Sequence, residues 1–222
     1  MIKQFTDNNC LVRAIQFIRE NGLYLFAFEL VSRVGIIFRR WMLAGKLGSS
    51  GLVLGPRAHL RGLGYMRIGK NFRASEGLWM EAIASYQGQS FSPSILIGNN
   101  VSVSRWCHIA ATHRIEIGDG VLIGSKVLIT DHNHGQYRDG TMSVDISPSL
   151  RSLDQDRVVI IGKNVWIGDG VVVMPGVTIG DGCVIGANSV VTRDVPPFTI
   201  VAALPASVLK TFDFASNRWN KS

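Results

Sequence analysis

Residues 161–191 read IGKNVWIGDGVVVMPGVTIGDGCVIGANSVV, and the spacing within them decides the fold. Aliphatic side chains return every six positions at Ile161, Ile167, Val173, Ile179, Ile185 and Val191. A second small or apolar series runs between them at Val165, Val171, Val177, Cys183, Ser189 and Val195. Glycine follows the first series at Gly162, Gly168, Gly180 and Gly186. Neither the 3.6-residue period of a helix nor the alternation of a simple strand fits this pattern. A six-residue repeat fits a β-solenoid, in which each hexapeptide makes one short flat face and stacked coils bury the aliphatic ladder.

The same rule extends toward the N-terminus. Ile97-Gly98, Val103 and Ile109 keep the period, two extra residues intervene, and Ile117-Gly118, Ile123-Gly124 and Ile129 resume it. Weaker traces at Leu54-Gly55 and Ile68-Gly69 place the repeat domain over residues 51–205. Two polar insertions, 84–94 and 130–157, cannot join the ladder and are expected to project as loops, where function tends to sit. The chain leaves the repeat at Pro196-Pro197, and a tail over 206–222, with Phe212, Phe214 and Trp219, is expected to cap the open end of the coil.

With 222 residues, 46% hydrophobic and 18% charged, the chain is neither disordered nor collagen-like. Its net charge of +7 is uneven: residues 1–73 hold 12 Lys/Arg against 3 Asp/Glu, residues 74–222 hold 11 against 13. A nucleic-acid partner is not expected, because zinc-finger spacing, aromatic RNA-binding motifs and basic-region heptads are all missing. Cys10, Cys107 and Cys183 lie outside any CxxC motif, and no signal peptide is evident, so a cytoplasmic protein is expected. Residues 1–50 form a basic, helical segment. Within its helical stretch, 11–47, the apolar run from Leu23 to Leu43 is interrupted by Glu29, Arg33, Arg39 and Arg40, short of the ~20 residues needed to span a membrane. The expected reading is a helix packed on the rest of the protein; the alternative is one lying in a membrane interface.

Four of the five histidines fall between positions 108 and 134. His132 and His134 stand in Thr130-Asp131-His132-Asn133-His134-Gly135, where the ladder ends and the long insertion begins. Imidazole titrates near neutral pH, so a histidine at such a coil edge suits general-base work, although a solvated loop residue is the plainer reading.

Here the chain resembles a known family. Val165-Trp166-Ile167-Gly168, Val173-Met174-Pro175-Gly176-Val177-Thr178-Ile179-Gly180 and Ile185-Gly186-Ala187-Asn188-Ser189-Val190-Val191 look like the C-terminal coils of hexapeptide-repeat acyltransferases. The segment from Ser125 to Gly135 is similar to the catalytic segment of bacterial O-acetyltransferases that decorate surface polysaccharides. The resemblance implies a mainly β, left-handed parallel β-helix, usually a homotrimer, with acetyl-CoA in the groove between adjacent subunits. Counted from Val127, the family's catalytic histidine falls on His134; His132 is the alternative, or the residue that orients the loop. Asp131, Ser104 and Arg105 are implied at the sugar or glycan acceptor. Ser104 stands where some relatives carry an asparagine. Trp166, Ala187, Ser189, Pro205 and Lys210 are implied at the coenzyme. Ala203 lies just before Leu204-Pro205-Ala206, where the family has a glycine ahead of its Pro-Ala pair, so its Cβ would crowd a close approach.

No metal is expected. His108 and His113 have the five-residue spacing of two zinc ligands in solenoid carbonic anhydrases, but Asn71, Phe72 and Arg73 supply no third histidine. Cys107 and Cys183 belong to the small series that packs inside, so a direct attack on the thioester is expected rather than an acyl-cysteine. The expected activity is O-acetyl transfer to a sugar or glycan precursor, free or lipid-linked, and residues 1–47 are the candidate segment for peripheral membrane association. N-acetyl transfer to an amino sugar and a non-catalytic scaffold are the alternatives.

Overall fold

The protein is described by a computed structural model covering residues 8–137, 144–154 and 157–221. Residues 1–7 of the basic segment, 138–143 and 155–156 of the long insertion and Ser222 of the tail lie outside the described residues. Two compact units form, residues 1–43 and 44–222, so the last turn of the second helix belongs with the repeat domain.

In the first unit, α1 (Asn8–Asn21) stops at Gly22, whose φ is 87°, and α2 (Leu23–Leu47) starts directly after it. The single helical reading over 11–47 becomes two helices because glycine enters the left-handed region at little cost and ends a helix there. Phe17 and Phe26 meet at 6.3 Å between ring centroids. Leu23, Leu30, Val34, Ile37, Phe38 and Trp41 recur at helical spacing along α2, and all are exposed. Within this unit, two helices alone bury too small a fraction of their surface to cover the stripe.

Residues 44–222 wind into a left-handed parallel β-helix with three sheets. The first stacks Val53–Leu54, Arg73–Ala74, Ser102–Val103, Leu122–Ile123, Trp166–Ile167, Val184–Ile185 and Thr199–Ala202. The second stacks His59–Arg61, Trp79–Ala82, His108–Ala111, Leu128–Thr130, Val172–Val173 and Val190–Val191. The third stacks Met66–Ile68, Ser94–Ile97, Arg114–Ile117, Val158–Ile161 and Thr178–Ile179. Identical positions fall in register: Ile68, Ile97, Ile117, Ile161 and Ile179 form one buried column. Val165, Val171, Val177, Cys183, Ser189 and Val195 are also buried, so both series of the repeat fill the interior.

The glycines after the aliphatic series are needed for space rather than for their backbone angles. A Cβ on Gly118 would lie 2.7 Å from the carbonyl carbon of Gly162 in the next coil. Left-handed turn positions are shared between other glycines and non-glycine residues, among them Asn71 and Asn100, whose side-chain amides pair at 3.0 Å. Ala203 has φ 90°, a conformation that favours glycine, as the chain turns into its tail.

The coil length is not constant. Ser102 pairs with Leu122, twenty residues on, whereas Trp166 pairs with Val184, eighteen on. In the third coil the two additional residues are Thr112 and His113, at the corner between the second and third sheets. Both insertions leave from this same corner, in the second and fourth coils, and stacking brings them together. The hairpin of Ser85–Tyr86 and Gln89–Ser90 braces the returning arm of the long insertion: Tyr86 Oη donates to Ser149 O at 2.7 Å, and Gln89 exchanges bonds of 2.8 and 3.3 Å with the Leu153 backbone. The described parts of the two insertions thus tie to each other outside the three sheets.

At the C-terminal end, Ser207–Asp213 pairs antiparallel with Thr199–Ala202, and Arg218–Lys221 pairs with Ser207–Asp213. Phe198, Phe212, Phe214 and Trp219 hold this extension through ring contacts of 4.9 to 5.2 Å. The tail covers the terminal edge of the first sheet.

Candidate active site

The slip in the repeat builds the site. Widening the third coil exposes the backbone N–H groups of Thr112 and His113 at a corner with no strand partner above them. Asp131, one coil later, fills that vacancy. Its Oδ1 accepts from Thr112 N at 2.8 Å and Thr112 Oγ1 at 3.2 Å, and its Oδ2 accepts from His113 N at 2.8 Å. Asp131 is fully buried, and these donors offset the cost of removing a carboxylate from water.

The same Oδ1 lies 2.9 Å from His132 Nδ1. A carboxylate oxygen accepts, so Nδ1 carries the proton and Nε2 is left as the basic nitrogen. The His132 side chain is 10% exposed and lines a cleft of about 580 Å³, within the size range of small-molecule sites. The outer face of the second sheet, the Tyr86 hairpin and the Leu153 arm form its walls.

His134 also lines the cleft but is held differently. Its backbone bridges to Leu153, its carbonyl accepts from Tyr137 Oη at 2.8 Å, and its ring meets the edge of Tyr86 at 5.2 Å. Among the described residues no carboxylate bonds its imidazole. Asn133 between the two histidines is anchored by the buried Asp154, which accepts from its backbone N–H. His132 thus has the oriented ring, and His134 sits in the strap that closes the loop.

The other expected site residues divide. Asp131 cannot meet an acceptor, because it is buried and occupied by donors from the protein. Ser104 and Arg105 lie at the corner between the first and second sheets and do not line the cleft. Ser189 is buried and its Oγ donates to Gly186 O at 2.7 Å, so it does not reach a ligand. Trp166, 54% exposed, stands on the first sheet between its register partners Leu122 and Val184. Ala187 is exposed at the following corner, Pro205 is exposed in the turn after Ala203, and Lys210 is half-buried opposite Ile200. None of these four lines the cleft within one chain.

Cys107 is buried, its thiol donates to Gly124 O at 2.9 Å, and burial pushes its pKa up. A thiol so held is a poor nucleophile. Among the described residues no group of three or more His, Cys, Asp or Glu is placed to hold a metal ion. A second hollow, about 590 Å³ on the third sheet, is lined by Arg67, Glu116 and Lys163 among others but by no imidazole.

Sequence reasoning missed Arg61, Trp79, Glu81 and His108 as cleft residues. They are distant from Asp131 in sequence, and only the coil count brings them to the same face.

Residues 159–193 match the family described as bacterial transferase hexapeptide (six repeats). Over 166 residues the chain is 39% identical to WbbJ of Escherichia coli K12, a protein assigned provisionally to lipopolysaccharide biosynthesis as an O-acetyl transferase; the match covers 74% of this chain and 81% of WbbJ. It is 32% identical over 168 residues to an Escherichia coli dTDP-4-amino-4,6-dideoxy-D-glucose acyltransferase, covering 66% of this chain and 82% of that one. Among solved structures it is similar to the hexapeptide-repeat acetyltransferase VCA0836 of Vibrio cholerae in complex with acetyl coenzyme A, with a TM-score of 0.51, 25% identity and coverage of 80% and 78% of the two chains. With its stacked hexapeptide coils and a match of this extent, the chain belongs to the hexapeptide-repeat transferase family and is an acyltransferase.

Proposed function

We propose that the protein transfers an acetyl group from acetyl-CoA to a hydroxyl of a sugar or glycan precursor, with His132 as general base. The observation that carries this reading is the His132–Asp131 pair, an imidazole oriented by a buried carboxylate at the wall of a ligand-sized cleft. His132 Nε2 takes the proton of the acceptor hydroxyl as its oxygen forms a bond to the thioester carbonyl carbon. The carbon–sulfur bond then breaks, and the imidazolium returns its proton to the thiolate, leaving an acetyl ester and free CoA. Asp131 keeps the ring in the tautomer that performs both transfers.

Acetyl-CoA as the donor is supported by the Vibrio cholerae relative. Trp166, Pro205 and Lys210 lie away from the cleft of their own chain, so a coenzyme touching both them and His132 would have to cross a subunit boundary. This arrangement favours a homotrimer in which the first-sheet face of one copy closes the cleft of the next. A light-scattering mass three times the 24.3 kDa of one chain is the expected result.

A second reading, N-acyl transfer to an amino sugar, is favoured by the likeness to the amino-sugar acyltransferase of Escherichia coli. Thiol release from acetyl-CoA, followed with matched hydroxyl and amino sugars, separates the two. Turnover with hydroxyl acceptors is expected; turnover with amines alone would select the second reading, and no CoA binding would leave a scaffold.

We also propose that a cytoplasmic enzyme meets lipid-linked acceptor at the inner membrane face through α2. No helix among the described residues is long and apolar enough to cross a membrane, yet α2 carries an exposed apolar stripe in the basic part of the chain. Such a helix lies in the interface with its apolar side among the acyl chains. The protein is expected to float with phosphatidylglycerol vesicles and the Phe38→Asp/Trp41→Asp variant to stay behind. Equal flotation of both would remove the idea.

A further inference from the structure

The outer face of the second sheet changes character along the coil. In register, its first row runs His59, Trp79, His108, Leu128, Val172, Val190, and a parallel row runs Arg61, Glu81, Ala110, Thr130. The first three coils therefore present aromatic and charged groups, and the next three present aliphatic ones. His132 follows Thr130 on the coil where the change occurs.

The polar half is organised. Trp79 is 46% exposed and stacks on His108 with ring centroids 4.2 Å apart and 14° between planes. His59 meets the Trp79 ring edge-on at 6.3 Å. His108 Nε2 lies 3.4 Å from Glu81 Oε1, and the Glu81 side chain is 13% exposed. Arg61 lines the same cleft. The two rings lie face to face and offer their outer edges to the cleft; with neighbouring strands about 4.8 Å apart, the pair starts about one strand from Thr130 and extends about one further, a length of about one hexose ring.

We infer that the outer edges of the stacked Trp79 and His108 rings form an apolar platform against which the acceptor pyranose packs and that Glu81 accepts hydrogen bonds from its hydroxyls. The C–H groups of a pyranose suit an aromatic wall, and its hydroxyls suit a carboxylate acceptor. The aliphatic row of Leu128, Val172 and Val190, on the other side of His132, suits the pantetheine arm of the donor. The inference rests on the sugar-acceptor reading and adds which residues select the sugar.

The test uses the full-length protein with a panel of methyl pyranosides, among them galactoside, glucoside and rhamnoside, read by steady-state transfer and by saturation-transfer NMR. Trp79→Ala is expected to raise the acceptor KM about tenfold, with the KM for acetyl-CoA within about twofold of its original value. Trp79→Phe is expected to recover most of the loss, and Glu81→Gln to raise the acceptor KM alone. An unchanged acceptor KM in Trp79→Ala, or equal loss of both substrates in a variant that melts normally, overturns the platform while leaving the sugar-acceptor reading intact. If no pyranoside is acetylated or saturated by the unaltered protein while CoA still binds, the reading itself falls and the platform with it.

Discussion

His132→Ala is expected to lower kcat by about 10²- to 10⁴-fold, the usual worth of a positioned general base. The KM for acetyl-CoA should change little, because the imidazole acts on the acceptor proton and not on the body of the coenzyme. Folding should survive: Asp131 still accepts from Thr112 N, Thr112 Oγ1 and His113 N after the imidazole is removed. His134→Ala is the necessary companion. It loses an exposed ring and an edge contact with Tyr86, while the strap remains held by its backbone bridge to Leu153. A loss of severalfold or less is expected. Thiol-release assays on both variants decide the matter, and collapse of activity in His134→Ala with retention in His132→Ala would return the base to His134.

Asp131→Asn should damage both catalysis and stability, for one reason. An amide has a single acceptor oxygen, whereas Asp131 uses both oxygens, Oδ1 for Thr112 and His132 and Oδ2 for His113. In either amide orientation an NH₂ group faces a donor. With the oxygen toward His132, the half-buried His113 N–H loses its acceptor, at up to about 1–3 kcal/mol. With the oxygen toward His113, the amide donates to His132 Nδ1 and moves the ring proton to Nε2, where it cannot take the acceptor's proton. The expected result is a kcat at least about 10²-fold lower and a urea midpoint below that of the unaltered protein. Normal stability combined with normal kcat would show that the carboxylate neither orients His132 nor seals the corner.

These two substitutions also mark where sequence reading stopped. The hexad period alone placed Ile161, Ile167, Val173, Ile179 and Ile185 inside, because each hexapeptide makes one flat face that turns its repeating aliphatic residue toward the interior. The glycine after the aliphatic residue is likewise written in the repeat, whereas the stacking of Gly118 on Gly162 depends on register across the long insertion. By contrast, the two-residue slip between Ile109 and Ile117 reads in sequence as an imperfection. In the structure those residues supply the amides that hold Asp131, and through it the orientation of His132. Choosing between His132 and His134 required knowing which ring has a carboxylate behind it, and residues two apart in a loop do not disclose that.

The sequence by itself determined the solenoid, the coils that form it and the interior place of Cys107 and Cys183, since each follows from local period and spacing; the segment carrying the candidate base came from its resemblance to a known family. Tertiary structure alone decided that Asp131 is a buried support, that Ser189 is interior, and that the hairpin at 85–90 braces the arm at 149–154. It also brought Trp79, Glu81 and His108 into the cleft with His132. Those relations join residues one or more full coils apart, and insertions of unequal length change how many residues a coil contains. Register across the sheet, set by backbone hydrogen bonds and core packing, is what converts such distant positions into neighbours.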